Sequence, residues 1–545
     1  MMFGQMMEFP LLISTMLTHA ERYTGEAEIV SRMVDGSLHR YTYRDAHKRT
    51  KQLANALVKL GVNQGDRIGT LAWNTHRHFE AYFGIAGIGA ISHTVNPRLF
   101  PEQISYIINH ASDRFLFVDE TFVPTLEAIS DQLTSVEKIF VLTANESFST
   151  KLKNWEPYES LIKNESTEFE WPQFDERSAS SLCYTSGTTG NPKGVLYSHR
   201  STLLHAYTAA MPDGLSVSNR DVVLPVVPMF HVNAWGLPYI CSMMGAKIVF
   251  PGPFMDGASI CQLINDEKAT LSAGVPTIWS GVLNYLDEKK LSIPSLKRVV
   301  IGGSACPEAM IRTFLEKYRV DVVQGWGMTE LSPLGTMNTL KANQVSLTDD
   351  EKIKLKAKQG RVLFGIDMKI IDETGDELPW DGKAFGDLLV RGPNVLSNYF
   401  QNEDPILIKD KNNQEWFATG DVATIDPDGF MHITDRSKDV IKSGGEWISS
   451  IELENTAVAH PDVLEAAVIA AYHPKWEERP LLIVVKKSGV NLQKDELLKF
   501  FEGKVAKWWM PDDVVFIDEI PHTATGKILK TKLREDFRDY KLPEK

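Results

Sequence analysis

Tyr184-Thr-Ser-Gly-Thr-Thr-Gly-Asn-Pro-Lys193 is the stretch on which the reading of this chain turns. The apolar-leaning Ser181-Leu-Cys-Tyr184 in front of it reads as a strand end, and Gly194-Val-Leu-Tyr-Ser-His199 leads toward a helix expected from Ser201. Glycines let a loop fold back so that several backbone N–H groups converge on one anionic oxygen. Serine and threonine hydroxyls add short donors, and Lys193 adds a point charge suited to phosphate. The spacing is not that of a Walker A loop, because no Gly-Lys-Ser/Thr follows four residues after Gly187. A phosphate-gripping loop of another design and a flexible polar surface loop both fit these ten residues alone.

The rest of the chain narrows the choice. At 545 residues it is too long for a single core, so two or more domains are expected. Hydrophobic residues make up 43% and charged residues 24%, the balance of an ordinary globular protein. A formal net charge of −13 with no basic tract argues against a nucleic-acid partner, so acidic substrates must be met by local positive charge. Cys183, Cys241, Cys261 and Cys306 have no paired spacing and read as buried small hydrophobes. The first ten residues lack a basic region and carry Glu8, which argues against a signal peptide. No apolar run approaches the ~18 residues that span a bilayer, so a cytoplasmic protein without a transmembrane segment is expected.

Between Tyr41 and Ser180 short apolar runs alternate with helical patterns: Arg67–Ala72 and Arg114–Val118 as strands, Phe79 onward as a helix. That alternation predicts βαβ units and a largely parallel sheet, hence an α/β fold. Val222–Pro228 is a buried strand-like run ending at Met229-Phe-His-Val-Asn-Ala-Trp-Gly236. A histidine in such apolar company, as His231 is, is ordinarily a satisfied core residue. Arg298–Ile301 and Val320–Gln324 read as strands around a helix from Ala309 to Tyr318. Past Asp435-Arg-Ser-Lys438 the pattern changes to a small α+β unit. Its expected strands are Leu464–Ala470, Leu481–Val485 and Val514–Ile517, with a helix from Lys494 to Trp508.

Five stretches, in order, resemble the adenylate-forming enzymes: acyl-CoA synthetases, luciferases and peptide-synthetase adenylation domains. They are the loop from Tyr184 to Gly194, Gly325-Trp-Gly-Met-Thr-Glu330, Thr419-Gly-Asp421, Asp435 to Lys442 with Ser443-Gly-Gly-Glu-Trp447, and Pro521-His-Thr-Ala-Thr-Gly-Lys527. Within that family the chain resembles most the medium- and long-chain fatty-acyl-CoA synthetases, and similarly the bacterial ligases that activate methylthio-propionate. The resemblance implies a large N-terminal α/β domain with mainly parallel sheets (1–435). It also implies a small mobile C-terminal α+β domain (436–545) that rotates about Lys438.

It further implies ATP, Mg2+ and coenzyme A, a carboxylic acid as substrate, and often a homodimer formed through the large domain. Thr185, Ser186, Gly187, Thr188, Thr189, Gly190 and Lys193 would then grip phosphate. Gly303, Ser304, Gln324, Gly325, Trp326, Gly327 and Met328 would flank the adenine, Trp326 standing where the family most often has tyrosine. Thr329 would donate to a phosphate oxygen, and Glu330 with Thr185 would hold Mg2+. Asp421 suits the ribose hydroxyls, since a carboxylate accepts two hydrogen bonds without donating; Arg436 would reach the ribose–phosphate region. Lys442, Gly444, Gly445 and Trp447 would face the CoA arm in one domain orientation. His231, Gly302, Val232 and Trp235 would line the acid site and acyl tunnel, and Lys527 would be the catalytic cation. The implied reaction is a ligase making acyl-AMP and pyrophosphate, then acyl-CoA and AMP. A medium- or long-chain fatty acid is the expected substrate, with a short acid such as 3-methylthiopropionate as the alternative. A luciferase-like oxygenase, an adenylation domain (for which a carrier domain would be expected after Lys545) and an inactive nucleotide- or acyl-binding module are the rival readings.

Overall fold

Strands buried on both faces build the large domain. Arg67–Leu71, Phe115–Asp119 and Ala179–Tyr184 carry few exposed side chains, as interior strands of a parallel sheet must. The structure is a computed structural model that describes every residue except Met1, Phe3, Glu146, 186–190, Gly445, 524–526 and 544–545, and the side chain of Glu446.

A seven-stranded sheet runs in the order Trp155–Pro157, Lys138–Leu142, Phe115–Asp119, Arg67–Leu71, Ile91–Thr94, Ala179–Tyr184, Gly194–Ser198. All neighbours are parallel except the last pair, an antiparallel hairpin in which Tyr184 faces Gly194. The stretch after the loop is therefore a strand rather than a lead-in. Val195 and Tyr197 turn inward while Leu196 pairs with Leu182, and the helix starts earlier than expected, at His199, capped by the Ser198 side chain.

A nine-stranded sheet has a parallel centre: Asp321–Gly327, Arg298–Ile301, Leu271–Gly274, Val222–Pro225, Lys247–Phe250 and Glu28–Arg32. Antiparallel strands close both edges. Helix His76–Gly87 lies between the two sheets with every residue buried. Its Phe79, Tyr82 and Phe83 pack with Ile29, Val223 and Ile248 of one sheet; its Ala81 and Ile85 pack with Ile68, Phe115 and Phe117 of the other. Its buried polar side chains are partnered: Arg77 pairs with Glu159, Glu80 with Arg49 and the Tyr158 hydroxyl, and His78 with Thr70.

A third sheet is antiparallel and contains Phe385–Arg391, Glu415–Ile425 and Met431–Arg436. Beyond it the C-terminal unit pairs Val463–His473 with Glu477–Lys486, sets Asp513–Phe516 parallel beside them, and has its own two apolar clusters. Its helix is shorter than expected, Lys494–Phe501, with a separate 3-10 turn at Lys507–Trp509. Gly503, at φ +74°, supplies the left-handed position that ends such a helix. The fold class is as expected, an α/β body with mainly parallel sheets and a small α+β unit. Strands Arg298–Ile301 and Asp321–Gly327 run at their carboxyl ends into Gly302 and Met328, and Ala179–Tyr184 runs into Thr185, the ends at which open α/β sheets hold ligands.

Candidate active site

Lys527 reaches the end of strand Arg298–Ile301 from the C-terminal unit. Its own loop is closed by hydrogen bonds from Leu529 N to the Pro521 carbonyl (2.7 Å) and from Lys527 N to Thr523 Oγ1 (3.1 Å). The half-buried side chain extends to Gly303, where a Cβ would sit 3.8 Å from its Cε. Burial pulls the ammonium down to about 8 from its usual range; Arg436 acts in the same direction, Asp421 and Glu330 against it. His231, half-buried beside it, is lowered to about 3, first by desolvation and then by Lys527 and Arg98. At neutral pH the imidazole is therefore uncharged, able to donate and accept a hydrogen bond but not to act as a resident cation.

The antiparallel pairing that sets Asp421 opposite Arg436 also joins their side chains, Arg436 Nε to Asp421 Oδ1 at 2.8 Å. The other oxygen accepts the Trp326 indole N–H at 2.9 Å. Trp326 itself is buried in a cluster with Val195, Tyr197 and Leu331, so tightly that a Cβ at Gly335 would lie 2.5 Å from its ring. Trp326, read from sequence as flanking the adenine, here orients the neighbouring carboxylate through its N–H. Gln324 behaves similarly: fully buried, it accepts from Cys306 N (3.0 Å) and donates to the Ala357 carbonyl (3.3 Å), pinning the loop that follows Gly302–Ser304.

His231 leads into Val232, Asn233, Ala234, Trp235 and Gly236, whose φ values of 42°, 54°, 50°, 55° and 75° make a left-handed turn. Such a conformation costs about 1–2 kcal/mol per non-glycine residue. The turn buries Val232 and brings Trp235 over Gly302, where a Cβ would lie 3.0 Å from the Gly325 carbonyl oxygen and 3.2 Å from the indole. Only glycine leaves room there for a flat ligand group between the two strand ends.

At the phosphate loop, Thr185 N donates to the Lys193 carbonyl (2.9 Å) and Thr185 Oγ1 accepts from Lys193 N (3.1 Å), closing the neck. Ser186, Gly187, Thr188, Thr189, Gly190 and Gly445 lie outside the described residues. Thr329 accepts from the Tyr197 hydroxyl through its carbonyl (2.6 Å). Glu330 is buried, which raises its carboxyl, and Oε1 accepts the Tyr399 hydroxyl at 2.8 Å. Among the described residues no group of three or more His, Cys, Asp or Glu could hold a metal. The residues present fit a magnesium ion that brings phosphate and water oxygens with it, Glu330 supplying one hard ligand.

Contacts and charge interactions thus link Lys527 with Gly303, His231, Glu330, Asp421 and Arg436, Asp421 with Trp326 and Arg436, Gly302 with Trp235 and Gly325, and Thr185 with Lys193. Lys442 and Trp447 do not join them: Lys442 lies over the Trp447 ring (5.2 Å), which tilts against Phe385 (5.4 Å), while Gly444 packs on Trp476. Lys438 is exposed at the start of the small unit. Tyr399 was invisible in sequence, because Ser397-Asn-Tyr-Phe400 follows no motif spacing. The arrangement gathers cations and hydrogen-bond donors, which suits nucleotide binding and charge stabilisation.

Comparison with known proteins agrees. The AMP-binding enzyme family model matches residues 17–400, and that of the AMP-binding enzyme C-terminal domain matches 452–527. A 3-methylmercaptopropionyl-CoA ligase of Ruegeria lacuscaerulensis is 56% identical over 99% of both chains. A medium-chain-fatty-acid–CoA ligase of Ectopseudomonas oleovorans is 51% identical over 99% of this chain and 98% of its own. Among solved structures, the anthranilate CoA ligase AuaEII in complex with anthranoyl-AMP superposes with a TM-score of 0.85 at 26% identity, over 97% of this chain and 98% of that one.

Proposed function

The chain belongs to the AMP-binding enzyme family, and from that premise we propose which residues carry its reaction and which acid it takes. The activity is that of an AMP-forming acyl-CoA synthetase using ATP, Mg2+ and CoA. A carboxylate oxygen bonds to the α-phosphorus as the bond to pyrophosphate breaks; the CoA thiolate then attacks the acyl carbonyl and AMP departs.

The observation that carries the assignment of roles is the reach of Lys527 across to Gly303, among Glu330, Asp421 and Arg436. In this orientation Lys527, Lys193 and the phosphate-loop donors neutralise charge as pyrophosphate leaves, with no proton transfer required. Magnesium, when bound at Glu330 with Thr185 nearby, supplies further positive charge. Asp421 takes the ribose hydroxyls, with Trp326 N–H and Arg436 holding it in place, and neutral His231 orients the acid's carboxylate. For the second step the small domain, 436–545, turns about Lys438 as a hinge, withdrawing Lys527 and bringing Lys442, Gly444 and Trp447 toward the CoA arm. Separate assays of the two half-reactions in Lys527 and Lys438 variants test this division.

The acid is a medium- or long-chain fatty acid. Val300 and Val323, on the strands leading to Gly302 and Gly325, belong to an apolar cluster with Met337, Ala206 and Ala209, against which Trp235 and Leu334 pack; that cluster supports a hydrocarbon tail. The second reading, a short acid such as 3-methylmercaptopropionate, is supported by the Trp235 ring itself, which lies against Gly302 like a stopper. A kcat/KM series from butyrate to decanoate, with 3-methylmercaptopropionate alongside, decides between them. A homodimer and a cytoplasmic location complete the proposal. Sedimentation velocity and cell fractionation check these, and among the described residues no helix is long and apolar enough to cross a membrane.

A further inference from the structure

The segment from Asn394 to Phe400 belongs to none of the recognised motifs, yet it fastens two of them together. Leu396 N donates to the Glu330 carbonyl at 2.8 Å, and Phe400 N donates to the Gly194 carbonyl at 2.8 Å. The Ser332 hydroxyl donates to the Asn394 carbonyl at 2.9 Å. One side chain of the segment, Tyr399, then reaches both loops. Its hydroxyl donates to Glu330 Oε1 at 2.8 Å, and the Lys193 ammonium lies 4.8 Å from the centre of its ring.

The chemistry of these two contacts differs in a way that suits a polyphosphate site. Among the described residues Lys193 forms no ion pair; a π-face holds a cation without neutralising it. The lysine is therefore fixed in place with its full charge available to an anion. At the other end, a phenol O–H occupies one oxygen of Glu330 and orients the carboxylate without adding charge, leaving the second oxygen for a hard cation. A carboxylate or a lysine in place of Tyr399 would cancel one of the two charges.

We propose that Tyr399 is a positioning residue that sets the Lys193 ammonium and the Glu330 carboxylate at the separation a magnesium-bound triphosphate requires. The inference rests on Glu330 being the magnesium ligand, and the test separates the two. Tyr399→Phe removes only the hydroxyl and keeps the ring; Tyr399→Leu removes both contacts; Glu330→Gln serves as the control on the underlying reading. Two measurements are made on the full chain. One is calorimetric binding of Mg2+ with α,β-methylene-ATP; the other is binding of inorganic tripolyphosphate without metal.

Losing a hydrogen bond to a charged group weakens the magnesium-dependent binding of Tyr399→Phe about tenfold, while metal-free tripolyphosphate binding stays at the wild-type value. Tyr399→Leu loses the magnesium-dependent part and also weakens metal-free tripolyphosphate binding by roughly threefold to tenfold, as the cation loses its seat. The apparent Mg2+ requirement for pyrophosphate release rises in parallel, with KM for the acid unchanged. Wild-type Mg2+ dependence in Tyr399→Phe, with Glu330→Gln impaired, overturns the positioning role alone. Wild-type Mg2+ dependence in Glu330→Gln overturns the metal-ligand reading and the inference with it. Metal-free tripolyphosphate binding that is unaltered in Tyr399→Leu refutes the Lys193 half.

Discussion

Replacing Lys527 by alanine removes the cation that, among the described residues, the small unit delivers against Gly303. What is left around the position is Glu330 and Asp421, both acidic, with Arg436 already paired to Asp421 at 2.8 Å. A unit charge about 4 Å from a developing oxyanion is worth ~4 kcal/mol at an effective dielectric near 20. Mutational experience with single preorganised donors puts the loss at about 10²- to 10³-fold in rate. Adenylation, followed as ATP–pyrophosphate exchange, should fall by that amount, whereas thioester formation from a synthetic acyl-adenylate should stay within a few-fold of wild type. The wild-type enzyme offers an independent check through pH. The ammonium is lowered to about 8, chiefly by burial, so its charge is present below that pH and lost above it. In the adenylation half-reaction kcat/KM for ATP, which reports the free enzyme, should hold on the acid side and decline by up to tenfold per pH unit above about 8. Lys527→Arg should abolish that alkaline limb, since a guanidinium stays charged. Equal losses in both half-reactions of Lys527→Ala, or an alkaline limb that survives in Lys527→Arg, would refute the role.

Lys438→Pro should give the opposite split, because proline fixes φ and blocks rotation; adenylation persists, thioester formation collapses, and single-turnover transfer at the wild-type rate would contradict a hinge there. Asp421→Ala should raise KM for ATP more than KM for the acid, at about 1.5–3 kcal/mol for each hydrogen bond lost to the charged carboxylate. It also strands the buried Trp326 N–H, so a lower Tm is expected by calorimetry, and an unchanged KM for ATP counts against the ribose assignment. Trp235→Ala uncovers Gly302 and should extend the usable chain length while leaving octanoate activity within several-fold. In the unmutated enzyme each added methylene is worth about 0.8 kcal/mol until the tunnel ends, and a steady fall of kcat/KM from butyrate to decanoate would favour the short acid.

The five ordered motifs were enough to expect a two-domain α/β ligase with Thr185, Glu330, Asp421 and Lys527 at its centre, because each needs a particular residue type at a particular backbone position. Strands such as Arg67–Leu71 and Arg298–Ile301 were legible for a related reason: unbroken apolar runs have few alternatives to a doubly buried strand. The strand Gly194–Ser198 was not legible, since only its pairing with Ala179–Tyr184 makes it one. The length of helix Lys494–Phe501 depended on a left-handed Gly503 that composition does not announce. Pairing decided the site in the same way. Trp326 carries both a ring and an N–H, and the partner at residue 421 selects which group is engaged. Val232 to Trp235 hold a left-handed turn that β-branched and aromatic residues disfavour locally, and only the surrounding packing can impose it. Tyr399 meets Glu330 across 69 positions of chain, a distance at which no local spacing rule operates. Sequence alone determined which chemistry the chain carries, because motif residues act through their own functional groups. Tertiary structure decided how those groups are held, because orientation comes from partners far away along the chain.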